Sequence, residues 1–235
     1  MLIGLIGHGR WGKKIKKKLI ELGYSIKVVK KKENLIKKLS NCSIVFVVTP
    51  DNTHYKILKK IAFLNKRVFC EKPVSRKLED LKNINNFKKN KLYISDISNY
   101  YPNINLKKNN LFLRTKFETK KESSSKRYDL LYKFAFHDFS YIYKKLGSIK
   151  IKKIKIIKSK KLLEFYLVNN KMKFKFCYMT NSKKRNYSLN GKSFYTNKDI
   201  LKKMINNFIN KRIDYKANIK KVRFVSKLID RVRKE

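Results

Sequence analysis

The chain has 235 residues, 42% of them hydrophobic, enough for one large or two small domains with a buried core. It carries 62 Lys and Arg against 16 Asp and Glu, a net charge of +46, which raises polyanion binding as a first thought. The composition argues against a specific nucleic-acid partner: ten of the basic residues are Arg, leaving 52 Lys spread along a chain with 7 Gly, 3 Pro and three Ala (Ala62, Ala135, Ala217), which is what A+T-rich coding produces.

In chain order, the first 97 residues alternate strand and helix. Short apolar runs at Leu2–Ile6, Ser25–Val29, Ser43–Val48, Arg67–Cys70 and Leu92–Ile97 read as buried parallel strands. Between them, Ile15, Leu19 and Leu22 share one helical face, and Leu35, Ile36 and Leu39 repeat the pattern. Asp51 is placed to cap a helix carrying Tyr55, Leu58 and Ala62, and Leu78, Leu81 and Ile84 mark another. This alternation predicts an α/β fold, a doubly wound parallel sheet of the Rossmann type, over residues 1–97.

From Asn99-Tyr100-Tyr101-Pro102 onward the pattern changes. Leu111–Phe117 reads as a strand, 121–126 as a polar loop, and 128–146 as a helix closed by Gly147. Strand-like segments follow at Ile149–Ile157, Leu162–Val168, Met172–Met179 and Arg185–Leu189, close enough in succession to predict antiparallel pairing. Helices over 199–209 and 219–232 close the chain. Residues 98–235 are therefore expected to form a smaller α+β domain that includes both C-terminal helices, with a mostly antiparallel open sheet.

Cys42, Cys70 and Cys177 lack the close spacing of a disulfide framework or a zinc site, so buried thiols and no metal are expected. The longest apolar run, Ile44–Val48, is far short of a membrane span. Met1–Gly7 lacks a basic start and a cleavage site, and a reducing cytoplasm is the expected compartment.

Two motifs carry the chemistry. Gly7-His8-Gly9-Arg10-Trp11-Gly12 follows the first strand and opens a helix, the G-x-G-x-x-G pattern of a turn that receives a dinucleotide pyrophosphate. Trp11 belongs either over the cofactor entrance or against the core. At the end of the second strand, Lys30-Lys31-Lys32 suits the 2′-phosphate of NADP, while Glu33 equally suits the free ribose of NAD. Thr49 and Pro50 end the third strand where the nicotinamide half would lie. His54, just beyond, reads as a cofactor contact or as a helix-packing residue. Glu71-Lys72-Pro73 ends the fourth strand, and the proline fixes a turn that aims Lys72 into the cleft. A lysine there can bond a substrate hydroxyl and take its proton as hydride leaves.

With these residues in this order, the chain resembles the glucose–fructose oxidoreductase / inositol dehydrogenase family (Gfo/Idh/MocA). The segment His137-Asp138-Phe139-Ser140 through Leu146-Gly147 is similar to that family's second-domain helix, and the closing helices, with Phe208, resemble its C-terminus. The resemblance implies NAD or NADP as cofactor and oxidation or reduction of a sugar, cyclitol or sugar-nucleotide hydroxyl. It implies Lys72 at the reacting hydroxyl and His137 as acid/base or substrate contact, with Tyr100 and Asp138 as further candidate substrate contacts and Glu71 beside the cofactor. It also implies a homo-oligomer built through the second-domain sheet. The chain departs from the pattern at Lys133, where many members carry Asp, at Ser140, where the last Asp of the helix motif stands, and in being about a hundred residues shorter. These departures suggest the alternative of a catalytically degenerate relative that binds a dinucleotide as sensor or structural subunit.

Overall fold

The computed structural model describes residues 1–30, 32–84, 87, 91–117, 131–158, 162–169, 171–179, 181–194 and 199–235. Lys31, the expected loop at 121–126 and the expected helix start at 128–130 lie outside them. The chain divides into two compact units: Met1–Ile97 with Asp199–Arg223, and Ser98–Lys198 with Phe224–Glu235.

The first unit is a five-stranded parallel sheet in the order β2-β1-β3-β4-β5, built from β1 (Leu2–Ile6), β2 (Ser25–Val29), β3 (Ile44–Val47), β4 (Arg67–Cys70) and β5 (Leu92–Ile94). Ile3 stands opposite both Ile26 and Ile44, which sets the register of the first three strands. All four residues of β3 are buried, as a strand covered on both faces requires. The helices between them are α1 (Arg10–Ile20), α2 (Leu35–Leu39), α3 (His54–Ile61) and α4 (Leu78–Lys82). On α1, Ile15 and Leu19 turn to the core while the neighbouring lysines stay in solvent. The side chain of Asn34 caps α2, accepting from the amides of Ile36 and Lys37.

One C-terminal helix belongs here rather than in the second domain. In α6 (Ile200–Ile209), Phe208 lies 5.6 Å edge-on to Phe46 and 5.5 Å from Phe69, and it stacks 5.8 Å from Tyr93, closing an aromatic cluster on the sheet. Arg67 donates to the carbonyls of Phe208 and Ile209, satisfying acceptors that the helix end leaves over. The last helix, α7 (Tyr215–Lys234), starts four residues before its expected position because Asp214 accepts the amide of Ala217. Its Asn218 is buried and closes the edge of β5, accepting from Ile94 N and donating to Ile94 O.

The second unit carries a six-stranded sheet in the order β11-β10-β6-β9-β8-β7: β6 (Asn109–Phe117), β7 (Lys153–Lys158), β8 (Leu162–Val168), β9 (Lys173–Met179), β10 (Asn181–Leu189) and β11 (Lys192–Ser193). Antiparallel pairing holds at every step but one. β9 and β10 do not form the expected hairpin; β6 runs between them, parallel to β9 and antiparallel to β10. Phe165 and Phe176 alternate onto one face, where Phe139 of α5 (Phe136–Leu146) packs against them at 5.9 and 5.3 Å. A π-helical turn at Leu131–Ala135 leads into α5, and Gly147, at φ +69°, ends it as expected.

Asp199 caps α6 by accepting from Lys202 N, and it pairs with Lys18 on α1 at 2.6 Å. Partial burial works to raise this carboxyl, but Lys18 and the Lys202 amide outweigh it and hold it below the ordinary range. Asp199→Ala should cost about 1 kcal/mol in urea denaturation at neutral pH, the usual worth of an N-cap. A carboxyl with a depressed folded value stabilises above its unfolded titration and loses that contribution in acid, so the difference should shrink as pH falls through the folded value. Equal stability of variant and wild type at neutral pH would contradict the cap.

Candidate cofactor edge and active-site residues

The sheet of the first unit delivers four strand ends to one edge. The ladder continues past the strands through Val48 N to Ile6 O, Glu71 N to Val47 O and Ser95 N to Cys70 O, all at 2.8–2.9 Å. Each chemical motif of this unit leaves the sheet at that edge.

The three glycines of the turn do three different things. Gly7 sits at φ +101°, and a Cβ there would come within 2.7 Å of Val48 O and 2.9 Å of Thr49 N. At Gly12 a Cβ would overlap the carbonyl of Gly7, so the helix can approach the strand only without one. A Cβ on Gly9 would meet nothing within 4 Å, which leaves the backbone open to a ligand. No side chain caps α1 and no acid sits in its first turn, so its amides remain available to an anion. The donor set and the open cradle fit a dinucleotide pyrophosphate. His8 and Arg10 are exposed beside it, and so is Trp11 at 40%, which excludes the core position allowed by the sequence.

Lys30 is exposed at the end of β2. Glu33 turns back into its own loop, accepting from Lys30 N at 2.6 Å and from Lys38 at 3.0 Å; the first of these bonds, then the second, holds its carboxyl below the usual range.

At the ends of β3 and β4 the structure corrects two expectations. Asp51 does not cap a helix: it starts a short 3-10 turn, Asp51–Thr53, and its carboxylate binds Arg76 at 2.6 Å. His54 is not a cofactor contact. It is 1% exposed, with Nδ1 2.8 Å from Pro73 O and Nε2 2.7 Å from Thr49 O. Thr49 is half-buried, bonded through Oγ1 to Thr53 Oγ1, and Pro50 is exposed. Lys72, half-buried, precedes a cis peptide bond to Pro73. Its amide donates to Ser95 Oγ at 3.2 Å, and that hydroxyl donates to Glu71 Oε2 at 2.8 Å. Ser95 thus ties Glu71 and Lys72 to the end of β5, a role the sequence reading missed.

Tyr100, His137 and Asp138 belong to the second unit. Tyr100 lies half-buried on a 3-10 turn, and His137 is half-buried in the first turn of α5, its ring edge-on to Phe136. Asp138 is not a substrate contact. It is 0% exposed, held by Arg114 through Nε at 3.0 and 3.1 Å and through Nη2, and it accepts from Tyr178 OH at 2.9 Å. The guanidinium of Arg114 lies 4.6 Å from the ring centre of Tyr187 and 5.1 Å from that of Phe194. Burial alone would lower the Arg114 value, but Asp138 outweighs it and keeps the charge; burial, and then Asp138, push Tyr178 well up. Ser140, two residues on from Asp138, is buried, and the side chain of Lys133 lies outside the described residues.

Residues 13–94 match the model of a family described as "Oxidoreductase family, NAD-binding Rossmann fold", Gfo/Idh/MocA. Over that stretch the chain is similar to the Rossmann unit of Gfo/Idh/MocA oxidoreductases. The resemblance read from the sequence is borne out over these residues, which include the Glu-Lys-Pro triplet and begin just after the glycine turn, and the matched family is an NAD-binding one. No curated protein matches the chain by sequence. Among solved structures, UDP-N-acetylglucosamine 3-dehydrogenase GnnA from Acidithiobacillus ferrooxidans is similar at TM-score 0.84 and 14% identity, over 99% of this chain and 96% of that one. The WlbA (WbpB) dehydrogenase from Thermus thermophilus, solved with NAD and UDP-GlcNAcA, is similar at 0.79 and 12%, over 97% and 94%. The dehydrogenase MviM from Clostridium difficile is similar at 0.75 and 13%, over 100% and 99%. At these identities the likeness establishes the two-domain Gfo/Idh/MocA fold.

The Gfo/Idh/MocA reading leaves the Arg114–Asp138 pair as architecture of the second sheet. Removing one partner strands the other charge in the interior, so Asp138→Ala should lower stability by about 3–5 kcal/mol in urea denaturation. A loss below about 1 kcal/mol would return Asp138 to the candidates for ligand binding.

Proposed function

We propose that this protein is an NAD(P)-dependent oxidoreductase that moves a hydride between nicotinamide and a hydroxyl or keto carbon of a sugar, cyclitol or sugar nucleotide. One observation carries the reading: a glycine turn with an open Gly9 and a lysine braced by Ser95 leave the same sheet edge. GnnA, by its name a UDP-N-acetylglucosamine dehydrogenase, and WlbA, solved with UDP-GlcNAcA, support the sugar-nucleotide class.

Bound there, the cofactor supplies a carbon that accepts or returns hydride. The chain supplies the rest. Backbone amides at the start of α1 hold the pyrophosphate. Thr49 and Pro50 border the nicotinamide half, and Glu71 lies beside it. Lys72 bonds the reacting hydroxyl and takes its proton in oxidation or returns it in reduction. His137 is assigned a substrate-side role as acid/base or contact, and Tyr100 a contact on the same unit. Lys30 is exposed while Glu33 is held in its own loop, which favours tolerance of the NADP phosphate.

The domain boundary near residue 97, a cytoplasmic site and assembly through the second-domain sheet complete the proposal. Three free thiols fit a reducing compartment, and burial raises Cys70 most, well above its ordinary value. Among the described residues no helix is long and apolar enough to cross a membrane. A second reading, a dinucleotide-binding relative with a sensor or structural role, draws on Ser140 and on the burial of Asp138, which leave α5 without an accessible carboxylate in its motif.

The test is reduced-nicotinamide formation from NAD and NADP with UDP-N-acetylglucosamine, a UDP-hexuronate and myo-inositol. Wild type should turn over a member of this panel. Lys72→Ala should lose at least about a hundredfold in turnover, the usual worth of acid–base catalysis, with cofactor affinity kept. Cofactor binding without turnover on any substrate would favour the sensor reading, and full activity in Lys72→Ala would remove the lysine from the chemistry.

A further inference from the structure

The two contacts of the His54 ring run to carbonyl oxygens, Pro73 O on one side and Thr49 O on the other. A carbonyl oxygen only accepts, so each contact needs an N–H on the ring. Neutral imidazole has one N–H and one lone pair, and exchanging its tautomers only moves the mismatch from one side to the other. The imidazolium has two N–H donors and satisfies both. At 1% exposure, no solvent reaches the ring to relieve a lone pair turned toward a carbonyl oxygen.

Both acceptors lie where the functional reading needs precision. Thr49 O belongs to the turn that ends β3 on the nicotinamide side, and Pro73 O follows Lys72 directly. We propose that His54 is a positioning residue: a doubly protonated clip that fixes the spacing between the Thr49-Pro50 turn and the Lys72-Pro73 turn, and so registers the lysine against the nicotinamide. The inference rests on the oxidoreductase reading of this edge for its purpose, but not for its chemistry.

The ionisable groups on the segments around the ring are Asp51, Tyr55 and Lys56 near it in the chain, and Glu71, Lys72 and Arg76 on the facing segment. Asp51 is committed to Arg76, and Glu71 Oε2 to Ser95. The hydrogen bonds of the ring itself run to two carbonyl dipoles rather than to a carboxylate. This differs from the common arrangement in which a carboxylate orients a histidine, and it makes the proton itself the joint between two loops.

The chain has three histidines, His8, His54 and His137, so a protein labelled with ¹⁵N in histidine alone resolves the question. His54 is assigned by elimination with His8→Gln and His137→Gln. At neutral pH His54 should show two exchange-protected ring N–H signals, one toward each carbonyl. A neutral ring with one N–H overturns the clip, and this result stands whether or not any sugar is turned over. The positioning role is read in His54→Gln. Amide exchange should rise by at least about tenfold in the segments 49–53 and 71–75 and stay unchanged in β1 and β3, because only the local openings are affected. With a turned-over substrate, hydride transfer should slow by at least about tenfold while cofactor affinity holds, as expected when reacting groups lose alignment. Unchanged exchange in both segments overturns the role.

Discussion

Gly12 has no room for a side chain. Its α-carbon lies so close to the Gly7 carbonyl that a Cβ would overlap it, and Gly7 itself is pressed against Val48 and Thr49 at a positive φ. These contacts lock the start of α1 onto β1 and the end of β3. They bring uncapped helix amides to the sheet edge, and they keep Gly9 clear for a ligand. The motifs on β3 and β4 matter chemically only because the same ladder carries them to that edge. In a chain with seven glycines, two of them serve this single juxtaposition.

The +46 charge has little part in holding the fold. What does so is the small set of charges taken out of water in pairs. Arg114 with Asp138 anchors the second sheet, and Lys221 with Asp96 at 2.5 Å does the same in the first unit, both pairs almost fully buried. Arg67 and Arg223 donate to carbonyls at helix ends. The abundant lysines mostly line exposed faces, as on α1, where salt screens them and each contributes little.

Local signals were legible in the sequence, and non-local ones were not. The five parallel strands, the glycine turn, the Glu-Lys-Pro turn and the Gly147 stop each follow from a few adjacent residues. The placement of α6 depends on Phe208 meeting Phe46, Phe69 and Tyr93, residues distant in the chain, and no periodicity encodes that. The insertion of β6 between β9 and β10 is likewise a matter of pairing rather than of pattern. Asp51 and Asp138 were misread for one reason: an acid near a helix start or in a motif suggests a cap or a ligand contact, while its actual partner is an arginine from another segment. His54 allowed two readings from the sequence, and the structure gives a third, a bridge between two turns.

The central claim is that the edge formed by Gly7, Gly9 and Gly12 holds a dinucleotide. It is tested most directly by titrating the purified protein with NADH and NADPH, followed by nicotinamide fluorescence in moderate salt, which screens the loose attraction of anions to so basic a surface. The account predicts saturable one-to-one binding that Gly9→Asp abolishes, because a carboxylate would then occupy the open space beside the uncapped helix. Binding of neither cofactor, or equal binding by Gly9→Asp, would contradict it.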